Sequence, residues 1–124
     1  MSKDLDLKAI HETAINAAQT ASKDYFNRYL HGVDQFPCGF AYVVINDNVR
    51  ANSKLGKQLI ELGYRKGYYS KRFERVMCSL RVQNVDVHEA GSNAYAQVLR
   101  DHGIDAGSYS RLRSEEHTSE LQSH

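Results

Sequence analysis

One long apolar stripe near the N-terminus constrains the fold more than any other feature of the sequence. Between Asp6 and about Tyr29, small, apolar and aromatic side chains recur every three or four residues, at Leu7, Ile10, Ala14, Ala18, Ala21, Tyr25 and Tyr29. This spacing predicts one alanine-rich helix with a single face against the rest of the protein. The pair His31-Gly32 predicts where that helix ends.

Two later segments are typical of strands. Residues 38–46, CGFAYVVIN, are almost continuously apolar and predict a central strand covered on both faces. Residues 73–83 alternate, which predicts a half-buried strand. We expect the face with Val76 to be buried and the face with Phe73, Arg75 and Met77 to be amphipathic.

Two further helices and a final strand complete the pattern. A helix is predicted from about Ser53 to Leu62, with Asn52 or Ser53 as its cap and Gly63 after it. Asp86 and Glu89 resemble a capping box that starts a third helix. That helix is predicted to bury Ala90, Gly91, Ala94, Tyr95 and Val98 and to end at Gly103, and residues 104–112 predict a short strand.

The order α-β-α-β-α-β predicts a small single domain of the α+β class. We expect a long N-terminal helix and a sheet of about three strands packed with helices. Such a sheet leaves long unpaired edges, which favours a homodimer.

The last residues, 113–124, show no helical or strand period. Their sequence, RSEEHTSELQSH, is similar to the translation of a common sequencing-library adapter. We therefore expect 1–112 to be a single ligand-binding domain and 113–124 to be a non-native tail from an assembled metagenomic read. A natural polar tail is the alternative.

Charge is distributed unevenly along the chain. Residues 36–85 carry nine Lys or Arg against three acids, a net +6, whereas the whole chain has a net charge of +1. A local basic zone in a nearly neutral protein favours a small anionic ligand over a long duplex. Cys38 and Cys78 are predicted to be free thiols in a cytosolic protein, with a disulfide as the alternative.

The sequence predicts a binding protein that is not an enzyme. It has no marked pair of nucleophile and base, no HExxH motif, no glycine-rich phosphate loop and no cysteine or histidine cluster with metal-ligand spacing. We therefore predict no catalytic residue, no metal and no cofactor. No apolar run reaches membrane length.

Candidate ligand contacts come first from the basic zone. Arg75 and Arg81 share a predicted strand face with Phe73, so they could hold a phosphate beside an aromatic platform for a base. Lys57 adds a further charge in this zone. A solvated or dimer-facing sheet surface is the alternative, because interfaces are also enriched in arginine and aromatic residues.

Three other polar residues are ambiguous from their positions alone. Arg28 lies beside the apolar stripe, where it could extend into solvent or enter a pocket. Asn93 is predicted on the helix face opposite Ala94 and Val98, as an ordinary surface residue. Arg111 lies on a predicted strand and needs either solvent or an anionic partner.

Two motifs carry a resemblance to a known family. The string CGFAYVVI, followed by EAGSNAYAQVLRDHGIDAGSYSRL at 89–112, resembles the first type of phage Thoeris anti-defence proteins. That resemblance implies a sponge that sequesters a cyclic ADP-ribose signal without cleaving it. It also implies dimers with ligand pockets between subunits, some assembling into hexamers that hold cyclic oligonucleotides, in the cytoplasm of an infected bacterium.

The resemblance also implies site residues. Asn93 in SNAYA and Arg111 in SRL correspond to ligand contacts, and Arg28 corresponds less directly. The chain departs from the pattern after SRL, where Arg113 stands in place of the usual acid. A small phage adaptor that binds nucleic acid or a host defence protein directly is the alternative function.

Overall fold

The chain folds into three helices and four antiparallel strands in the residues that the computed structural model describes, which are 6–33, 39–67, 71–77 and 84–112. The elements in chain order are α1 (Leu7–Tyr29), β1 (Gly39–Ile45), α2 (Lys54–Glu61), β2 (Arg65–Lys66), β3 (Phe73–Met77), α3 (Val85–Asp101) and β4 (Ala106–Leu112). The predicted α+β class and the long N-terminal helix are confirmed.

The sheet has four strands in the order β2-β3-β1-β4. Tyr42 in the centre of β1 lies opposite Val76 on one side and Tyr109 on the other. The prediction of about three strands is wrong because it missed β2, a two-residue strand that pairs with the start of β3. Next to this pairing, the Gly67 amide donates to the Arg72 carbonyl at 2.8 Å.

The core lies between one face of the sheet and the helices. Ala41, Val43 and Ile45 of β1 are buried on this face. Helix α3 contacts both β1 and β4, and α1 packs along α3. Ala14 and Ala18 of α1 are both 0% exposed, so small side chains allow the helix backbones to approach closely.

The buried stripe of α1 follows the prediction over its first half and then departs from it. Leu7, Ile10, Ala14 and Ala18 are buried, but the next buried residue is Ser22, and Tyr29 is 59% exposed. The buried residues from Ile10 to Ser22 follow one another at steps of four. Because an α-helix has 3.6 residues per turn, this buried line drifts around α1 and moves away from the tyrosines. Ser22 is accommodated because its hydroxyl donates to the Val87 carbonyl of α3 at 2.8 Å.

The predicted faces of β3 are reversed. Phe73 and Met77 are 2% and 1% exposed, whereas Val76 is 47% exposed. The helices cover the face with the larger side chains, Phe73 and Met77, and this burial removes more apolar area from water than burial of Val76 would. The described part of this predicted strand ends at Met77; residues 78–83 lie outside the described residues.

Strand β1 is central, but the described residues cover only one of its faces completely. Burial alternates along it, and Phe40 on the second face is 39% exposed. The prediction that both faces are covered is therefore wrong within the described residues. Aromatic and β-branched side chains are also common in half-buried strands. The apolar run at residues 38–46 therefore could not distinguish a strand covered on both faces from one covered on a single face.

Helix starts and ends are mostly where the sequence predicts them. Asp6 caps α1, Ser53 caps α2 by accepting from the Gly56 amide at 3.0 Å, and Gly103 follows α3 with a positive φ of 85°. The cap of α3 is Asn84, which accepts from the Val87 amide at 3.1 Å, so the predicted capping box at Asp86 is wrong.

The inward face of α3 also differs from the prediction. Gly91 and Tyr95 are buried as predicted, whereas Ala90, Ala94 and Val98 are only half-buried. The other buried residues of the helix are Val85, Val87, His88, Ser92, Ala96 and Leu99. Both α1 and the sheet pack against this helix, so its buried surface is wider than a single stripe.

Cys38, Cys78 and the segment 113–124 lie outside the described residues. The free thiols and the non-native tail therefore stay predictions.

Replacing Ala14 by Leu tests the close contact of α1 with α3. The substitution should destabilise the fold by about 1–3 kcal/mol, because the added carbons have no space. Ala9→Leu is the matched control, because Ala9 is exposed on the same helix and should change stability by less than about 0.5 kcal/mol. Chemical denaturation measures both; equal effects would contradict the contact.

Candidate functional site

The sheet face that points away from the helices carries aromatic and charged side chains. We call it the outer face and define it by Phe40, Tyr42 and Val44 of β1, Glu74 and Val76 of β3, and Gly107, Tyr109 and Arg111 of β4. Alternation along each strand and the cross-strand pairs place these residues together.

Two tyrosines stack at the centre of the outer face. The rings of Tyr42 and Tyr109 have centroids 4.9 Å apart and planes inclined by 14°. The Tyr109 hydroxyl donates to Glu74 Oε1 at 2.9 Å, so its side chain reaches across β1 to β3. Partial burial, followed by the hydrogen bond and the charge of Glu74, raises the pKa of Tyr109 to about 12.

Arg111 lies next to this tyrosine pair. It is exposed, it pairs with Phe40 across β1 and β4, and its positive charge opposes the rise in the pKa of Tyr109. A guanidinium beside partly exposed rings can hold a phosphate while a base stacks on the aromatic side chains. The sequence predicted an arginine beside an aromatic side chain at Arg75. The structure places such a combination at Arg111 instead.

Asn93 lies on the other side of β4. Its Oδ1 accepts a hydrogen bond from the Ser108 hydroxyl, and one turn earlier Glu89 accepts from the Ser110 hydroxyl. Ser108 and Ser110 alternate with Tyr109 and Arg111, so they point toward α3. Asn93 on α3 therefore lies against the face of β4 that is opposite to the face carrying Arg111.

Phe73 is not a ligand platform. Its ring is 2% exposed in the core, with Lys66 Nζ 5.0 Å from its centroid. Arg75 is half-buried, and its guanidinium donates to the carbonyls of Leu62 at 2.8 Å and Val76 at 3.3 Å. These bonds direct it to the backbone beside α2, so the predicted pairing of Phe73 with Arg75 as a base and phosphate site is wrong.

Of the remaining predicted residues, the two that the structure describes, Arg28 and Lys57, lie on different helices, α1 and α2. Arg28 is exposed near the end of α1 and pairs with Asp24 at 3.3 Å. Lys57 is exposed on α2. Arg81 lies outside the described residues.

A chain of hydrogen bonds links three separate parts of the molecule. Tyr64, just after α2, donates to the Tyr95 hydroxyl of α3 at 2.8 Å, and His11 Nδ1 of α1 lies 2.6 Å from that same hydroxyl. Burial is the first cause that raises the pKa of both tyrosines. Burial, followed by the charge of Arg75, lowers the pKa of His11.

Neither the outer face nor the hydrogen-bond chain was predicted from the sequence. For the outer face a signal was available, because Tyr109 is two residues before Arg111 and Phe40, Tyr42 and Val44 alternate along FAYVVI. For the chain of His11, Tyr95 and Tyr64 the sequence carries no local signal, because the partners are 84 and 31 residues apart.

Comparisons with protein-family models, with curated proteins and with solved structures find no significant match to this chain. Among the described helices, none has the length and apolar character that a membrane span requires. The described residues also contain no group of three or more His, Cys, Asp or Glu side chains that could hold a metal ion.

Glu74→Gln tests the bond between Tyr109 and Glu74. Loss of the carboxylate should lower the pKa of Tyr109 from about 12 toward the ordinary value for tyrosine of about 10. Ultraviolet absorbance during alkaline titration measures this, with Tyr109→Phe identifying the signal. An unchanged titration in Glu74→Gln would contradict the contact.

Proposed function

We propose that this protein binds and sequesters a cyclic ADP-ribose-type signalling nucleotide without cleaving it, and so acts as a phage anti-defence protein that blocks Thoeris signalling. The single observation that carries the proposal is the position of Arg111 beside the Tyr42–Tyr109 stack and opposite Phe40. In this assignment the guanidinium binds the diphosphate and the rings stack on the adenine. The site of action is the cytoplasm of the infected host.

The proposed active form is a homodimer with a ligand pocket shared between its subunits. Its support is that Asn93 of α3 lies against one face of β4 and Arg111 projects from the other, at an edge strand of the described sheet. A pocket that uses both residues can be completed when a second protomer lies along this edge and supplies one of them. Cyclic oligonucleotides are proposed as further ligands of a larger assembly, such as a hexamer.

A second candidate function is supported by the same outer face. Antiparallel sheets that present aromatic rings also bind single-stranded nucleic acid, whose bases stack on them. An adaptor of this kind would bind oligonucleotides with an affinity that falls steeply with salt. Its melting temperature would not change with cyclic ADP-ribose.

Arg111→Ala should abolish the stabilisation that cyclic ADP-ribose isomers give to the wild-type protein. A ligand at 100 times its Kd adds about 2.7 kcal/mol to the free energy of unfolding, which thermal unfolding measures readily. Arg50→Ala is the control, because Arg50 is exposed outside the helices and strands and should leave the shift intact. An unchanged thermal shift with cyclic ADP-ribose isomers in Arg111→Ala would contradict the assignment of Arg111 to the ligand site.

Variants at Tyr109 separate stacking from hydrogen bonding in the same assay. Tyr109→Phe keeps the ring and should keep binding, whereas Tyr109→Ala should weaken it by about 1–3 kcal/mol.

Ligand released by denaturing the complex should be chemically intact. Recovery of a cleaved product would move the protein to the class of enzymes.

Mixing two inactive variants tests the shared pocket. If one subunit supplies Arg111 and the other Asn93, then Arg111→Ala and Asn93→Ala refolded together should recover about a quarter of the wild-type sites, because half of the dimers are mixed and each has one intact pocket. Calorimetric titration counts the sites. No recovery, with dimers shown by light scattering, would place both contacts in one protomer.

A further inference from the structure

The hydrogen-bond chain through His11 has a defined direction. A phenol has one hydrogen to donate, and within the described residues the Tyr64 side chain has no hydrogen-bond partner other than Tyr95. Tyr64 is 3% exposed, so its hydrogen goes to the Tyr95 oxygen. Tyr95 then gives its own hydrogen to His11 Nδ1, which must be unprotonated.

This direction makes the chain sensitive to one proton. When His11 is protonated, both ring nitrogens carry hydrogen and Nδ1 can only donate. Tyr95 could then no longer donate to His11, and one hydroxyl hydrogen of the buried Tyr64–Tyr95 pair would lose its acceptor, which proteins avoid.

The charged surroundings of His11 act in the same direction. Burial and the positive charge of Arg75 on β3 both disfavour a protonated His11. The negative charge of Glu12 on α1 favours protonation, but its effect is the smallest of the three. Tyr64 and Tyr95, from the segment after α2 and from α3, face the ring as neutral phenols because burial raises the pKa of both. The rings of Tyr95 and His11 pack in a T-shaped arrangement, with centroids 5.6 Å apart and planes inclined by 70°.

We propose that His11 is a pH-sensitive latch between α1 and α3. While its imidazole is neutral, its hydrogen bond with Tyr95 holds α1 on α3. Protonation of the ring in mildly acidic solution breaks this link between the two helices. The latch is independent of the ligand proposal, although α3 also holds β4 through Asn93 and Glu89. His11 is only half-buried, so a proton can reach the ring from solvent without global unfolding.

The sign of the pH effect follows from linkage. The pKa of His11 is lowered in the folded protein from its ordinary value of about 6.5, so the unfolded chain binds the proton at a higher pH. The contribution of the latch to stability is complete above about pH 6.5 and is lost as the pH falls through the lowered pKa.

Thermal unfolding of three proteins between about pH 8 and pH 5 tests the latch. In His11→Asn an amide oxygen can replace Nδ1 as acceptor and does not titrate. The Tm of the wild-type protein should fall by several degrees relative to His11→Asn as the pH decreases. His31→Asn is the matched control, because His31 is exposed with φ 55°, a conformation that Asn tolerates, and it should follow the wild type.

Three parallel curves of Tm against pH would overturn the latch. Nitrogen-15 NMR of the wild-type imidazole provides a readout that does not depend on the folding of a variant. At neutral pH it should show the tautomer with hydrogen on Nε2, and the protonation midpoint of His11 should lie below the ordinary histidine value of about 6.5. Hydrogen on Nδ1 at neutral pH would also overturn the proposal.

Discussion

The close contact between α1 and α3 is the interaction on which the rest of the structure depends. Ala14 and Ala18 have no exposed surface, and Ser22 donates a hydrogen bond to a carbonyl of α3. Since α3 also contacts β1 and β4, the long N-terminal helix stabilises the sheet indirectly. Small side chains at this contact add little apolar area themselves, and the two alanines belong to the same buried cluster as the larger Leu99 and Tyr95 of α3.

Helix α3 connects this core to the proposed ligand site. Tyr95 of this helix takes part in the hydrogen-bond chain with His11 and Tyr64. Glu89 and Asn93 of the same helix accept hydrogen bonds from the serines of β4. These bonds fix which residues of β4 face the helices. Tyr109 and Arg111 must then occupy the outer face, because successive side chains of a strand point in opposite directions.

Much of the fold could be predicted from the sequence because the signals are local. The stripe of α1, the cap at Ser53 and the glycine after α3 each depend on a few neighbouring residues. The choice of buried face in β3 could not be predicted, because Phe73 and Val76 are both apolar and the covering helices decide between them. At the site, Arg111 was predicted and its aromatic neighbours were not, since their grouping needs the pairing of β1 with β4.

The alternation of side chains along β4 separates residues that contact the helices from residues that do not. Ala106, Ser108 and Ser110 face the helices and are tied to packing or to hydrogen bonds with α3. Gly107, Tyr109 and Arg111 face outward, away from those contacts. Substitutions at the outward positions of this seven-residue strand therefore leave the packing against α3 in place, whereas at Tyr109 they also remove the stack on Tyr42 and the hydrogen bond to Glu74.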